Sequence, residues 1–146
     1  MRNGIRSFVS LWYLLGCLVH VYFGLFAPEI YQPFGTTSIF PSYAILWHNL
    51  VMPSITFFAL LLAAYEILVG CLLVSKGKWV KYGVILSLLF NLFLIQMGLG
   101  YPADNEWQSF LINRLPNLVF IALQIPLLWG WDKYSIPEIV WRSLHK

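Results

Sequence analysis

Four long stretches of the chain consist almost wholly of apolar residues, and short clusters of charged residues separate them. A helix that crosses the hydrocarbon core of a bilayer needs about 20 such residues. Backbone polar groups must be satisfied within lipid, and the stretches lack the alternation of barrel strands, so the pattern predicts helices. The predicted spans cover about Ser7–Phe26, Pro53–Ser75, Trp79–Gly100 and Phe110–Trp131.

Composition supports a membrane protein and excludes several functional classes. Of the 146 residues 60% are hydrophobic and only 10% are charged, whereas a soluble domain carries roughly 25% charged residues. We therefore expect a single transmembrane domain over residues 1–146, all-α, with an up-down four-helix bundle. The sequence has no phosphate loop, zinc spacing or Ser–His–Asp set, so an independent enzyme is not expected. The basic residues are few and lie beside the spans, which argues against nucleic acid as a partner.

The first apolar stretch could also be interpreted as a signal peptide, because Arg2 and Arg6 precede it. The sequence Leu14-Leu15-Gly16-Cys17 even resembles a lipoprotein cleavage site. The apolar run continues to Phe26, however, and no A-x-A site follows. We therefore interpret this stretch as a retained span.

Lys and Arg residues near the span ends predict the orientation, since they favour the cytoplasmic side. The loops between spans one and two and between spans three and four carry only acidic charges, at Glu29, Asp104 and Glu106. Eight of the nine Lys and Arg residues lie at the two termini and in or beside the turn between spans two and three: Arg2, Arg6, Lys76, Lys78, Lys81, Lys133, Arg142 and Lys146. The ninth, Arg114, lies just inside the outer end of the fourth predicted span. Both termini are therefore expected in the cytoplasm.

Two segments outside the spans have helical patterns of their own. Ser42–Val51, in the long first external loop, is predicted to form a short helix at the outer surface. After the fourth span, Pro137–Lys146 places apolar residues at helical spacing and predicts a short amphipathic helix on the cytoplasmic interface.

Small and polar residues recur along one face of each span, which is typical of helix packing in lipid. These faces carry Gly16, His20 and Gly24 in the first span; Ala59, Ala63, Glu66 and Gly70 in the second; Gly83, Ser87 and Asn91 in the third; and Asn113, Asn117 and Gln124 in the fourth. At 1.5 Å per residue, His20, Asn91 and Asn117 all lie about 20 Å from the cytoplasmic ends, with Glu66 about one turn below them.

Glu66 is the first candidate for a functional residue, because a carboxylate within the membrane costs a few kcal/mol even on lenient scales. It is either a hydrogen-bonded group that fixes helix register, with Tyr65, His20 or Asn91 as partner, or an acid that binds a ligand or carries protons. The further ligand-binding or proton-relay candidates are His20, Asn91, Asn117, Tyr65 and Gln124.

His20 is interpreted first as a packing residue, although a pairing with Glu66 could relay protons or bind a quinone carbonyl. Haem and metal binding are not expected, since no second imidazole lies at a matching depth. Arg114 has two interpretations: it pairs with Asp104 or Glu106, or it anchors a lipid headgroup. Cys17 and Cys71 lie at different depths, so no disulfide is expected.

The sequence Tyr65-Glu66-Ile67-Leu68-Val69-Gly70-Cys71-Leu72-Leu73-Val74, followed by the basic turn Lys76–Lys81, resembles the DoxX-like family of small four-span bacterial membrane proteins. The resemblance covers about residues 57–98 and differs in the first span, where the family often has a Lys after a Gly but Gly24 is followed by Leu25. It implies a bacterial inner-membrane location and a role in membrane redox or stress physiology.

Three functions follow as hypotheses. The preferred one is a non-catalytic accessory or anchoring subunit of a quinone-linked membrane redox system, with membrane lipids and either a protein partner or a second copy of the chain as partners. The alternative is a binder or transporter of a small molecule, quinone or lipid, with a polar site around Glu66 and His20. The last is an enzyme acting on quinone or lipid, with Glu66 as acid or base.

Overall fold

The computed structural model describes residues 1–145, which contain helices and no strand. Lys146, one of the residues used to predict orientation and the last of the predicted C-terminal helix, lies outside the described residues. The α-helices are α1 (Arg2–Phe26), α2 (Pro41–Leu46), α3 (Ile55–Val74), α4 (Lys78–Met97), α5 (Glu106–Asn113), α6 (Leu115–Gln124) and α7 (Ile136–Leu144). Short tight turns cover Pro28–Tyr31, Met52–Ser54 and Ile125–Leu127, and a wider helical turn covers Trp47–Val51.

Three helical segments are long and apolar enough to cross a membrane: Arg2–Phe26, Pro41–Val74 and Lys78–Met97. A fourth is present if the bent pair Glu106–Asn113 and Leu115–Leu128 is one span. The prediction of an all-helical chain with helices of membrane-crossing length is confirmed. The outer faces carry large exposed apolar side chains such as Leu18 and Phe57, as contact with lipid requires.

The helix boundaries differ from the predicted spans at two places. The helix predicted over Ser42–Val51 exists, but it continues through Met52–Ser54 into α3 and forms one long helical segment with it. The predicted span Phe110–Trp131 is broken by a bend of 41° at Arg114. Pro116 explains the break, because it has no amide N–H to bond to the carbonyl four residues earlier and its ring collides with that carbonyl.

Helix α1 packs most extensively against α3, and small residues allow the close approach. A Cβ atom on Gly24 would lie 2.6 Å from the Cβ of Ala59, and one on Gly70 would lie 2.7 Å from Leu14. The Ser10 hydroxyl donates to the carbonyl of Gly70 at 2.9 Å. The predicted small faces of the first two spans therefore lie against each other.

Two arginines at the start of α1 are part of a buried ion cluster. Arg6 is fully buried and donates to Asp132 at 2.9 Å, and also to the carbonyls of Leu73 and Ser75 at the C-terminal end of α3. Arg2 binds the other oxygen of Asp132 at 2.6 Å. The start of α1, the end of α3 and the segment after α6 thus meet at one end of the molecule.

Hydrogen bonds and ion pairs between charged groups stabilise the end of the molecule where α1 begins and α3 ends. Burial alone would raise the pKa of Asp132, but the hydrogen bonds from Arg2 and Arg6 outweigh it and hold the pKa below its usual value. Close by, Ser135 caps α7 and forms a capping box with Glu138, whose carboxylate also binds Lys76 at 2.7 Å. These contacts attach α7 to the turn between α3 and α4.

Candidate intramembrane ligand-binding site

Glu66 lies on the face of α3 that packs against α1, and only 5% of its surface is exposed. Gly16 of α1 makes room for it, because a Cβ at Gly16 would lie 2.9 Å from Oε1 of Glu66. The Oε1 atom is 3.6 Å from Nε2 of His20. The Oε2 atom is buried and has no hydrogen-bond partner among the described residues. One oxygen of this carboxylate is therefore enclosed by protein with its hydrogen-bonding capacity unused.

His20 connects Glu66 to Tyr31, a buried residue in the turn that follows α1. The Tyr31 hydroxyl is 2.5 Å from Nδ1 of His20, and the two rings are nearly parallel. Burial raises the pKa of Tyr31 to about 12, so its hydroxyl keeps its proton at physiological pH. Because a buried hydroxyl needs an acceptor, we assign Tyr31 as the donor to Nδ1. His20 is then neutral, with its proton on Nε2, facing Glu66.

The position of Tyr31 is fixed from the other side by Trp47. The indole Nε1 donates to the backbone carbonyl of Tyr31 at 2.9 Å, and the Trp47 ring stacks on Phe34. The loop between α1 and α2 and the turn after α2 therefore close over the end of the site. This makes the geometry of the Tyr31–His20–Glu66 chain dependent on a loop that lies outside the spans.

A cavity of about 940 Å³ lies beside this chain of residues, between α1, α3, α4 and α6, with α2 at one end. Its size is within the range of about 300–1,000 Å³ found for small-molecule sites. Twelve of its 28 lining residues are Phe, Tyr or Trp. Four of the predicted site residues contribute polar groups to its wall, namely Glu66, His20, Asn91 and Asn117. The structure therefore brings these four around one mostly apolar space.

The cavity extends to the outer surface of the helices between α1 and α6. Trp12 of α1 and Val119 of α6 both line the cavity, and they are 60% and 58% exposed. Their exposed faces are those that would contact lipid acyl chains. The lining of the cavity therefore includes surface that lipid would contact.

Asn91 and Asn117 differ in how their amides are used. The Asn91 amide nitrogen donates to the carbonyl of Ser87 at 2.8 Å and to the hydroxyl of Tyr13 at 3.2 Å. The Tyr13 hydroxyl also bonds Ser87 Oγ at 2.8 Å, which joins α1 to α4. The amide nitrogen of Asn117, in contrast, is buried and has no partner among residues 1–145. Asn117 and Glu66 are therefore the two cavity-lining residues that each have a buried polar atom without a partner among the described residues.

Tyr65 and Gln124 are used mainly within the protein. The Tyr65 hydroxyl donates to the carbonyl of Leu86 at 2.8 Å, so only its ring lines the cavity. Gln124 is fully buried away from the cavity and donates to the carbonyl of Phe120 on its own helix. Neither they nor Asn91 bond Glu66, for which His20 is the nearest polar partner.

Arg114 lies at the bend between α5 and α6 and donates to the carbonyl of Thr37 at 2.6 Å. Its second contact is Ser109 at 3.5 Å, and it makes no ion pair with Asp104 or Glu106. Arg114 therefore joins the loop between α1 and α2 to the bend, while its role as a headgroup anchor stays a prediction. Cys17 and Cys71 are both free thiols.

Sequence reasoning did not identify Tyr31, Tyr13 or Asp132. Tyr31 lies in a loop with no periodic pattern, so only its nearness to His20 along the chain could have indicated it. Tyr13 is three residues before Gly16 on the same helix face, which was a usable signal. Asp132 directly follows the predicted end of the fourth span, and its pairing with Arg2 and Arg6 depends on the fold.

The fold and the site together define an all-helical protein with membrane-length helices around a largely apolar cavity. No protein-family model matches this chain, and neither the curated proteins nor the solved structures contain a significant match.

Proposed function

We propose that this chain is a multi-pass membrane protein that binds or transports a small apolar molecule in the cavity beside Glu66 and His20. The observation that carries the proposal is the cavity itself, which is lined by Glu66 and Asn117. Each of these two side chains has a buried polar atom without a partner among the described residues, Glu66 Oε2 and Asn117 Nδ2. Leaving such a group unsatisfied costs about 1–3 kcal/mol, and more for a charged group. A ligand toward which either side chain rotates would recover part of this cost.

The chemistry of the wall defines the general ligand. The many aromatic and aliphatic side chains favour a mostly apolar molecule, and the few polar atoms fix its orientation. Quinone and lipid both have this character, with an apolar body and a hydrogen-bonding head. The lateral opening beside Trp12 favours a molecule that reaches the cavity from the bilayer.

The membrane arrangement is part of the same proposal. We place α1, α3, α4 and the bent α5–α6 pair as four spans of a bacterial inner membrane, with both termini in the cytoplasm. The distribution of Lys and Arg supports this orientation. Helix α7 then lies on the cytoplasmic interface, where its exposed Trp141 and Leu144 would contact lipid.

The accessory-subunit role and the DoxX-like resemblance remain proposals beside this one. A subunit of a quinone-linked complex could hold quinone in the same cavity, so the two functions are not exclusive. The cavity and the unpartnered polar atoms of two of its lining residues bear directly on ligand binding, and we therefore give the binder or transporter the first place.

Purification from native membrane in mild detergent tests the proposal. Wild type, Glu66→Gln and the exposed control Glu106→Gln would be compared for co-purified proteins and for extracted quinone or lipid by mass spectrometry. We expect a small molecule with wild type and with Glu106→Gln that is lost from Glu66→Gln. A stable protein partner that survives Glu66→Gln, with no small molecule in any sample, would instead support the accessory subunit.

A further inference from the structure

The wall of the cavity carries one acidic group and no strong base. Glu66 is its only carboxylate, and no Lys or Arg from residues 1–145 lines it. His20 is the base at 3.6 Å from Glu66, and with Tyr31 assigned as the hydrogen-bond donor to its Nδ1 the imidazole is neutral. An ionised Glu66 therefore has no permanent counter-charge among the described residues that line the cavity.

The apolar part of the wall also favours positive charge. Twelve of the lining residues are aromatic, and the faces of aromatic rings attract cations, most strongly where water is excluded. Tyr13 and Tyr31 line the same cavity as Glu66. A carboxylate next to such rings is a suitable site for an ammonium or similar organic cation, whereas an anion would meet no Lys or Arg from residues 1–145 on this wall.

We propose that the ligand of this cavity is a lipophilic organic cation, such as an amine or quaternary ammonium, which pairs with the Glu66 carboxylate and lies against the aromatic wall. This inference rests on the proposed function and narrows it to one class of ligand. The apolar body of such a cation would enter from lipid between α1 and α6, beside Trp12 and Val119.

The same geometry makes binding sensitive to pH. A proton and the cation compete for the Glu66 carboxylate, so the proton on the carboxyl is released to solvent when the cation binds. The other titratable groups that line the cavity with Glu66 are His20 and Tyr13 from α1, Tyr31 from the following turn, Tyr43 from α2, and Tyr65 beside Glu66 on α3. Helices α4 and α6 contribute only the neutral amides Asn91 and Asn117 as polar groups. Protonation of His20 would also repel the cation, so both groups predict weaker binding as the pH falls.

The test uses the full chain purified in detergent and calorimetry with tetraphenylphosphonium as the probe. Tetraphenylborate, which has the same shape and a negative charge, is the matched control ligand. We expect saturable phosphonium binding to wild type and Glu106→Gln, none of tetraphenylborate, and an affinity reduced about 30-fold or more in Glu66→Gln. In wild type, affinity should rise by up to about tenfold per pH unit until Glu66 is fully ionised.

The outcomes separate this inference from the proposed function. Equal binding of phosphonium and borate, equal binding by wild type and Glu66→Gln, or no dependence on pH would overturn it. The comparison of the two probes and the pH series need only wild type, so they decide the matter even if Glu66→Gln does not fold. If wild type binds no phosphonium but purifies with a neutral quinone or lipid, the ligand class is wrong and the proposed function stands. If no small molecule of any kind is bound, both fail.

Discussion

Gly16 of α1 lies directly against the carboxylate of Glu66 on α3, so closely that a Cβ at position 16 would be 2.9 Å from Oε1 and 3.1 Å from Oε2. The carboxylate therefore occupies the space that a side chain on α1 would otherwise fill. This places Oε1 next to His20, one turn further along α1, and leaves Oε2 buried without a hydrogen-bond partner among the described residues. Gly16 is therefore needed for the position of the Glu66 carboxylate as well as for helix packing.

Gly16→Ala is expected to disturb the site while preserving the fold. The added methyl would displace the end of a flexible side chain, which can rotate away, so the bundle should still assemble. Loss of the Glu66 position should weaken ligand binding on the order of tenfold, measured by calorimetry with the co-purified molecule or with tetraphenylphosphonium. Gly4→Ala on the same helix is the control, since its methyl meets nothing within 4 Å. Unchanged affinity in Gly16→Ala would show that the contact has no role in binding.

Gly24→Ala is expected to lower the stability of the fold, whereas Gly16→Ala is expected to lower ligand affinity. Its methyl would lie 2.6 Å from the Cβ of Ala59, which is fixed to the backbone of α3, so the two helices must move apart. Such overpacking costs about 1–3 kcal/mol. The separation would also strain the hydrogen bond from Thr56 to the Gly24 carbonyl. Thermal unfolding in detergent should show a clearly lower midpoint than for Gly16→Ala, and equal midpoints would contradict the assignment.

The sequence predicted the helical class and the faces that pack, because both depend on local patterns. Runs of apolar residues define membrane-length helices. Gly16 and Gly24 recur at helical spacing on α1, and they and Gly70 of α3 lie on the faces that meet in the structure. Glu66 and His20 were found because a polar residue in an apolar run is conspicuous. Their mutual contact was only one of several alternatives, since depth counting does not give the rotation of one helix relative to another.

The features that could not be predicted from the sequence lie mainly in loops, at bends and in contacts between distant segments. Tyr31 reaches His20 from a turn, where no periodicity indicates which side chain points inwards. The bend at Arg114 has a local cause in Pro116, but averaging hydropathy over a whole span conceals it. Arg2 and Arg6 were interpreted through their charge and their place before the first span, whereas Arg6 is buried and holds three segments together.

Asp132→Asn is expected to destabilise the protein strongly. Arg6 is fully buried, and without the carboxylate its charge would lack its only acidic partner among the described residues. Breaking a buried pair in this way costs about 3 kcal/mol or more. The midpoint of thermal unfolding should fall well below that of Asp104→Asn, whose carboxylate is exposed and makes no ion pair. Similar midpoints for the two variants would mean that the carbonyls around Arg6 suffice to hold it.

Acid should remove the same stabilisation from wild type. The pKa of Asp132 in the folded protein lies below its usual value of 3.8, so the carboxylate stabilises the fold at any pH above 3.8. This contribution is lost as the pH falls from 3.8 through the lower pKa of the folded state. Unfolding midpoints of wild type should therefore decrease over that window. Asp132→Asn should lack this part of the decrease, and parallel curves for the two proteins would refute the coupling.

Tyr31→Phe tests whether a loop residue sets the charge of the site. The substitution keeps the ring but removes the Tyr31 hydroxyl, which is assigned as the hydrogen-bond donor to His20 Nδ1 at an O–N distance of 2.5 Å. With Nδ1 free, the imidazole can take up a second proton and pair with Glu66, whose Oε1 is 3.6 Å from Nε2. The His20 cation would then compete with a cationic ligand. Binding of tetraphenylphosphonium should weaken, most strongly at low pH, where His20 is most readily protonated.

The control for this prediction is Tyr101→Phe, because Tyr101 is exposed and does not line the cavity. The double variant Tyr31→Phe, His20→Gln should recover most of the lost affinity, since it removes the competing cation while Glu66 is retained. Such recovery distinguishes an electrostatic effect from a loop that no longer closes over the site. The double variant could instead bind more weakly than Tyr31→Phe alone. Tyr31 would then act by holding the shape of the cavity, and His20 by bonding the ligand. In that case the assignment of His20 as a neutral group kept in place by Tyr31 is wrong.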